Sequence, residues 1–172
     1  MSMITKQLTQ LDSLIQSCEI HVQRLNAARK ALEPTLPLKG VSIPQLKNEE
    51  LGYMELLMSR FSKLQDTLGT KLFPLTLDLM QQRRDNESFL DLLHKLEKLH
   101  LLPSTKWWLT IRELQNHIVH DYPENPELMA ANFNQCAQAA LELEEYWCVF
   151  RSHLEDLQKE WRQQLSGEEI NR

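Results

Sequence analysis

The sequence contains little of what all-β, disulfide-linked or membrane proteins need. Four glycines and seven prolines in 172 residues are fewer than a chain rich in tight turns requires. The three cysteines, Cys18, Cys136 and Cys148, stand far apart and match no disulfide framework or zinc-ligand spacing. No run approaches the roughly 20 apolar residues of a membrane span, and the N-terminal segment lacks the apolar core of a signal peptide. We therefore expect a soluble, cytoplasmic protein without a metal, a cofactor or a membrane contact.

The net charge is negative and unevenly distributed along the chain. Residues 121–172 carry four Lys and Arg against eleven Asp and Glu, which is a net charge of −7. Residues 1–120 carry a net charge of +2, and the formal charge of the whole chain is −5. A surface that binds anions such as nucleic acid must therefore be local and lie in the first two thirds of the chain. The acidic segment is interpreted as a solvated helix face or as a surface for a basic partner.

Apolar residues recur at helical spacing through the first half of the chain. Alternating steps of three and four from Ile4 to Leu32 predict a long helix that packs against another helix, and Pro34 should end it. The segment 34–48 contains three prolines and a glycine and is interpreted as an extended connection. A second helix is predicted from Asn48, with an end before Gly69.

Three more helices are predicted in the second half, after a short and partly buried helix near Pro74. The segment SFLDLLHKLEKLHLL should be capped by Asp85 or Asn86, and KWWLTIRELQNHIVH by Ser104 or Thr105. A final long helix should start near Pro126.

The whole pattern predicts an all-α fold, an antiparallel bundle of four to five helices. One domain is expected over residues 1–165, followed by a polar, frayed tail at 166–172.

The stretch RELQNHIVHDYPE, residues 112–124, concentrates polar and titratable side chains at a helix end. Arg112, Asn116 and His120 are spaced four residues apart, so they should share one face of the helix. Glu113 and His117 form a second pair on a neighbouring face, and the negative end of the helix dipole is sufficient to explain a cationic His117. For His120, the residues alone leave both a functional and a helix-capping role open.

The string NHIVHDYP resembles the motif of the HepT-like branch of the HEPN superfamily, in which Arg and Asn are followed by three residues, His, one residue and Tyr. Asn116, His120 and Tyr122 stand at the matching positions. Residues 60–74, 89–104 and 107–127 resemble successive blocks of one bacterial HEPN-like family. The resemblance implies a HEPN-like helical bundle.

The sequence departs from that motif at its arginine, whose position is taken by Gln115. Arg112 lies one helical turn earlier and is the alternative cation. A second alignment pairs Arg112 with His117, but then no tyrosine stands two residues after the histidine. Because glutamine lacks the charge and fork geometry of arginine, the sequence leaves open whether the chain is an enzyme.

The resemblance implies the toxin component of a toxin–antitoxin pair, a metal-independent RNA endonuclease with a composite site at a homodimer interface. His120 would transfer protons, Asn116 would orient it or bind phosphate, and Tyr122 would contact RNA or accept AMP. A nucleotidyltransferase of the MNT type would be the antitoxin partner.

Two alternatives stay open at this point. One is a non-catalytic subunit that binds nucleotide or RNA for a nucleotidyltransferase partner, and the other is a helical protein-interaction scaffold. Asp66 is a secondary candidate, because it stands on an otherwise apolar helix and either faces the cleft or is simply exposed to solvent. Gln115 and His117 are the other secondary candidates.

Overall fold

The computed structural model describes residues 3–118 and 124–170 as a bundle of six α-helices. These ranges contain no β-strand, which confirms the predicted all-α bundle, and no helix in them is long and apolar enough to cross a membrane. The HEPN-like character of the bundle stays a prediction. The helices are α1 (Met3–Leu32), α2 (Asn48–Thr67), α3 (Phe73–Leu79), α4 (Phe89–Lys98), α5 (Thr105–Ile118) and α6 (Pro126–Ile170).

Helix α1 buries the apolar seam that its sequence predicts. Leu11 and Leu25 are fully buried, whereas Ile4 at the start of the seam is 40% exposed. The helix ends at Leu32, because Pro34 lacks the backbone N–H that another turn would use. Its main neighbour is α2.

The connection between α1 and α2 is less extended than the sequence suggests. It contains short 3₁₀ turns at Glu33–Thr35 and Gly40–Gln45. The amide of Leu38 donates to Asn134 Oδ1 at 2.7 Å, and Asn134 Nδ2 donates back to the Leu38 carbonyl at 2.8 Å. These two bonds satisfy the backbone of a non-helical residue and fix the connection to α6.

Helix α2 begins at Asn48 as predicted, but the chain does not turn away at Gly69. It continues through one wide π-helical turn, Leu68–Leu72, into α3, whose first turn contains Pro74. Gly69 is needed for space, since a Cβ atom at this position would lie 3.0 Å from Cζ2 of the buried Trp108. The glycine therefore marks close packing of α5 on this turn.

Helix α4 starts later than the predicted caps Asp85 and Asn86. Ser88 is the cap: its Oγ accepts from the amide of Asp91 at 3.1 Å, and its own amide donates to Asp91 Oδ2 at 3.2 Å. The prediction of an earlier cap is wrong because this reciprocal capping box satisfies both exposed amides at once. Asn86 instead adopts a left-handed conformation, with φ of 61°.

Helix α6 runs antiparallel to α1 along its length. Residues later in α1 contact residues earlier in α6. The helix continues to Ile170. The fraying of the tail at 166–172 stays a prediction. Contacts of Arg162 with α1 anchor the helix shortly before this segment. The three pairs between α1 and α6 are Asp12 with Arg162, Glu19 with Trp147 and Asn26 with Glu144.

An aromatic core joins α3, α5 and α6. The rings of Phe73 and Trp108 lie 4.7 Å apart, and those of Tyr146 and Phe150 are stacked at 5.5 Å. Such contacts add to the free energy of burial of large side chains and fix the rotation of each helix about its axis. The buried Trp108 thereby determines which side of α5 faces outward.

Candidate functional site

Helix α5 presents a polar face because its apolar residues are used in the core. Ser104 is the cap, since its Oγ accepts from the amide of Trp107 at 3.0 Å. Trp108 and Ile111 are then buried, while Arg112 and Asn116, one turn apart, are both exposed. We name Arg112, Asn116 and His120 the α5 strip. Its described part, Arg112 and Asn116, therefore lies on one outward face, as the spacing predicts.

Arg112 is held by an aromatic ring. Its guanidinium carbon lies 5.0 Å from the ring centroid of Phe89, the first residue of α4. This distance is within the range of a cation–π interaction, which restricts the guanidinium without neutralising its charge. Within residues 3–118 and 124–170, no salt bridge involves Arg112. Its N–H groups therefore have no carboxylate partner in this part of the chain.

Gln115 faces a different helix from Arg112. Its Nε2 donates a hydrogen bond of 3.1 Å to Oδ1 of Asp66 on α2. Two of the secondary candidates therefore contact each other directly. The position at which the HepT-like motif has an arginine holds a neutral amide, and a carboxylate lies beside it.

The structure describes only part of the predicted site. Arg112 and Asn116 share one face, and Gln115 contacts Asp66, beside that face. His120 and Tyr122 lie outside the described residues, and of His117 only the helical backbone is described. The roles assigned to these three residues stay predictions.

Sequence reasoning missed Phe89 as a member of the site. It is an apolar residue in the first turn of a helix, and nothing in the spacing of α4 predicts which cation its ring will contact. The one signal in the sequence was the short connection between α4 and α5. Two helices joined in this way pack as antiparallel neighbours, which places the start of α4 beside the later turns of α5. That alignment follows from the second contact at the other helix ends, where the Thr105 amide donates to Glu97 Oε2 at 2.7 Å.

A groove of about 680 Å³ separates α5 from α6 next to the strip. Trp107, Ile111 and Leu114 give it an apolar floor, and Glu113 and Glu142 stand among its polar residues. Trp107 Nε1 donates to Glu142 Oε2 at 3.1 Å, so this tryptophan is fixed between the two helices. The groove has two carboxylates and no lysine or arginine in its lining, and it is therefore a poor site for a phosphate.

Metal ligands and free thiols do not form a site in the described ranges. No three His, Cys, Asp or Glu side chains of residues 3–118 and 124–170 lie together as metal ligands would. Cys18, Cys136 and Cys148 are all free thiols, the first two buried and the last exposed. Burial raises the pKa of both Cys18 and Cys136 to about 12, so neither is a nucleophile near neutral pH.

Comparisons with family models, curated proteins and solved structures found no match for this chain.

Proposed function

We propose that this protein is the HEPN-like toxin of a toxin–antitoxin pair, a metal-independent RNA endonuclease that acts in the cytoplasm with α5 at its site. The observation that carries the proposal is the exposure and orientation of the Arg112 guanidinium. Its guanidinium is exposed, is oriented by the Phe89 ring and has no salt bridge in the described part of the chain. Asn116 stands one turn further toward the motif histidine and adds a neutral hydrogen-bonding group.

The proposed chemistry is transfer of the RNA phosphate to its own 2′-oxygen. The 2′-hydroxyl loses its proton and attacks phosphorus, the bond to the 5′-oxygen breaks, and the leaving 5′-oxygen takes up a proton. A histidine that titrates near neutrality can take the proton from the 2′-hydroxyl and give a proton to the 5′-oxygen, and His120 would have this role. Arg112 would donate to the phosphoryl oxygens, where negative charge develops in the transition state. Asn116 would orient the imidazole or bind phosphate.

The HepT-like resemblance supplies the partners in this proposal. A homodimer would bring two α5 strips together into one composite cleft, so that each protomer adds cations to the other's site. Tyr122 would contact RNA in the active toxin and accept AMP from an MNT-type nucleotidyltransferase, the proposed antitoxin. The exposed faces of Arg112 and Asn116 are compatible with a cleft that only a second protomer closes.

A second function is favoured by the contact between Gln115 and Asp66. A neutral amide paired with a carboxylate stands at the position of the motif arginine, so the cleavage step lacks a charged donor for the transition state there. The chain would then be a non-catalytic subunit that binds RNA or a nucleotide for the nucleotidyltransferase. This alternative predicts RNA binding without cleavage.

Incubation of the purified protein with total RNA in the presence of EDTA tests the first function. We expect cleavage by the wild type, no cleavage by His120→Ala and a loss of about 10²-fold or more for Arg112→Ala, the scale of one transition-state donor. His117→Ala is the matched control, a histidine of the same helix end outside the strip, and it should cleave RNA like the wild type. Cleavage that persists in His120→Ala would overturn the site assignment, and RNA binding without wild-type cleavage would select the second function.

A further inference from the structure

Four basic side chains come together where α1 and α2 face each other. His21 and Arg24 are one turn apart on α1, and Arg60 and Lys63 are one turn apart on α2. Arg60 Nη1 lies 3.3 Å from His21 Nδ1, which places the two pairs in contact across the helices. We name this group the α1–α2 basic cluster.

No carboxylate neutralises this cluster within the described ranges. None of their salt bridges involves Arg24, Arg60 or Lys63. The carboxylate of Glu19, the acidic residue nearest to His21 along α1, instead accepts from Trp147 Nε1 at 3.1 Å and pairs with Arg151. The uncompensated charge is notable in a chain whose formal charge is −5.

The cluster also contains an unsatisfied donor. Arg60 Nε is buried and has no hydrogen-bond partner in the described residues, while the neighbouring Nη1 reaches only a histidine ring. A buried N–H without an acceptor destabilises the fold, and more so on a charged group. An anion bound beside Arg60 would reduce the repulsion among the cations.

The electrostatic effect of the cluster is evident at His21. Its pKa is lowered, first by burial and then by the positive charges of Arg60, Lys63 and Arg24. All three cations therefore act on one imidazole, which agrees with a concentrated positive potential at this surface.

The position of the cluster relates it to the α5 strip. Lys63 and Asp66 are both exposed on α2, and three residues of helix separate them by about 4.5 Å along its axis. Asp66 in turn contacts Gln115 on α5, next to Asn116. The cluster and the α5 strip are therefore linked through the contact between Asp66 and Gln115.

We propose that the α1–α2 basic cluster binds the phosphodiester backbone of single-stranded RNA and extends the contact with the substrate beyond the α5 strip. This inference deepens the proposed function and rests on it for the identity of the polyanion. Several cations spread over two helices suit a series of phosphates better than one small anion. The binding is independent of sequence, because contacts to phosphate carry no base information.

Fluorescence anisotropy with a labelled 2′-O-methyl RNA oligonucleotide measures this binding. The methyl group blocks the attacking oxygen, so cleavage does not disturb the titration. The double variant Arg24→Gln, Lys63→Gln changes two exposed side chains and removes two phosphate contacts. We expect it to weaken binding by about tenfold near 0.15 M salt and to reduce the slope of log Kd against log salt by about 1.4, from about 0.7 for each lost contact with a single strand.

Lys6→Gln, Lys98→Gln is the matched control, because it removes the same charge from exposed positions at the start of α1 and the end of α4. It should keep nearly the full salt slope. Equal losses in both double variants, or a wild-type slope in the cluster variant, would overturn the inference. If the double variant does not fold, as judged by circular dichroism, Lys63→Gln alone should reduce the slope by about 0.7.

Cleavage of unmodified RNA, measured in parallel, separates this inference from the proposed function. If the wild type binds the oligonucleotide through the cluster but does not cleave RNA, the endonuclease is rejected and RNA binding by the cluster is retained. Wild-type cleavage together with unchanged binding by the cluster variant would reject the RNA surface and keep the endonuclease. A wild type that does not bind the oligonucleotide would overturn the inference whatever its activity.

Discussion

Gln115 donates a hydrogen bond of 3.1 Å from Nε2 to Oδ1 of Asp66 and thereby connects α5 to α2 beside the proposed site. The contact turns the glutamine side chain toward α2, whereas Arg112 projects over Phe89 on α4. Arg112 and Gln115, which lie three residues apart on α5, therefore contact different helices.

Gln115→Arg should increase RNA cleavage by about tenfold or more. The new guanidinium would pair with Asp66, which fixes it, and would add bidentate donors for a phosphoryl oxygen. Gln115→Lys restores the charge without the fork and should give a smaller gain. Rates of cleavage in EDTA under single-turnover conditions measure the effect, and unchanged rates in both variants would contradict a role for this position.

Phe89→Leu should lower RNA cleavage about two- to fivefold. The reason is loss of a cation–π interaction of about 0.5–1 kcal/mol that orients Arg112, at about 1.4 kcal/mol for each factor of ten in rate. Leu90→Ala is the matched control, since Leu90 is the next residue of α4 and is 46% exposed. A loss in Phe89→Leu that also occurs in an Arg112→Ala background would show that the ring acts on stability and not through Arg112.

Gly69→Ala should destabilise the fold by about 1 kcal/mol. A Cβ atom there would lie 3.0 Å from Cζ2 of the fully buried Trp108, and overpacking costs about 1–3 kcal/mol against a gain in helix propensity of up to about 1 kcal/mol. Gly52→Ala on α2 should be stabilising, because its Cβ would meet no atom within 4 Å. Urea denaturation of the two variants measures both changes, and a stabilising Gly69→Ala would refute the close packing of α5 on this turn.

The stability contributed by His21 should decrease as the pH falls below about 6.5. Its folded pKa is lowered from 6.5 by burial and by the charges of Arg60, Lys63 and Arg24, so the unfolded chain binds more protons in this range. The free energy of unfolding of the wild type relative to His21→Gln should therefore fall between about pH 7.5 and pH 5. An NMR titration should give a pKa below 6.5 for His21 and a higher value in Arg60→Gln; a wild-type value at or above 6.5 would contradict the cluster.

Much of the fold was predictable because it follows from local sequence. The steps of three and four from Ile4 to Leu32 specify α1, since only a helix places those side chains on one face. Pro34 and Ser104 mark boundaries for reasons that lie in their own backbone and side chain. The cap of α4 was mispredicted because several polar residues precede it, and only the reciprocal bonds between Ser88 and Asp91 select one of them.

The candidate site was predictable only along one helix. Four-residue spacing was enough to place Arg112 and Asn116 on a common face. The partners of that face come from elsewhere in the chain: Phe89 lies 23 positions before Arg112, and Asp66 lies 49 positions before Gln115. Helical periodicity carries no information about such distances.

The sequence by itself determined that this chain is a helical bundle with a polar strip near the end of its fifth helix. Apolar periodicity and capping residues act over three or four positions, so their effects can be read without knowledge of the rest of the molecule. Only the tertiary structure decided that Gln115 binds Asp66, that Arg112 lies over Phe89 and that four basic residues of α1 and α2 meet. These relationships depend on how the helices are rotated and aligned, and buried side chains such as Trp108 fix that arrangement through close packing.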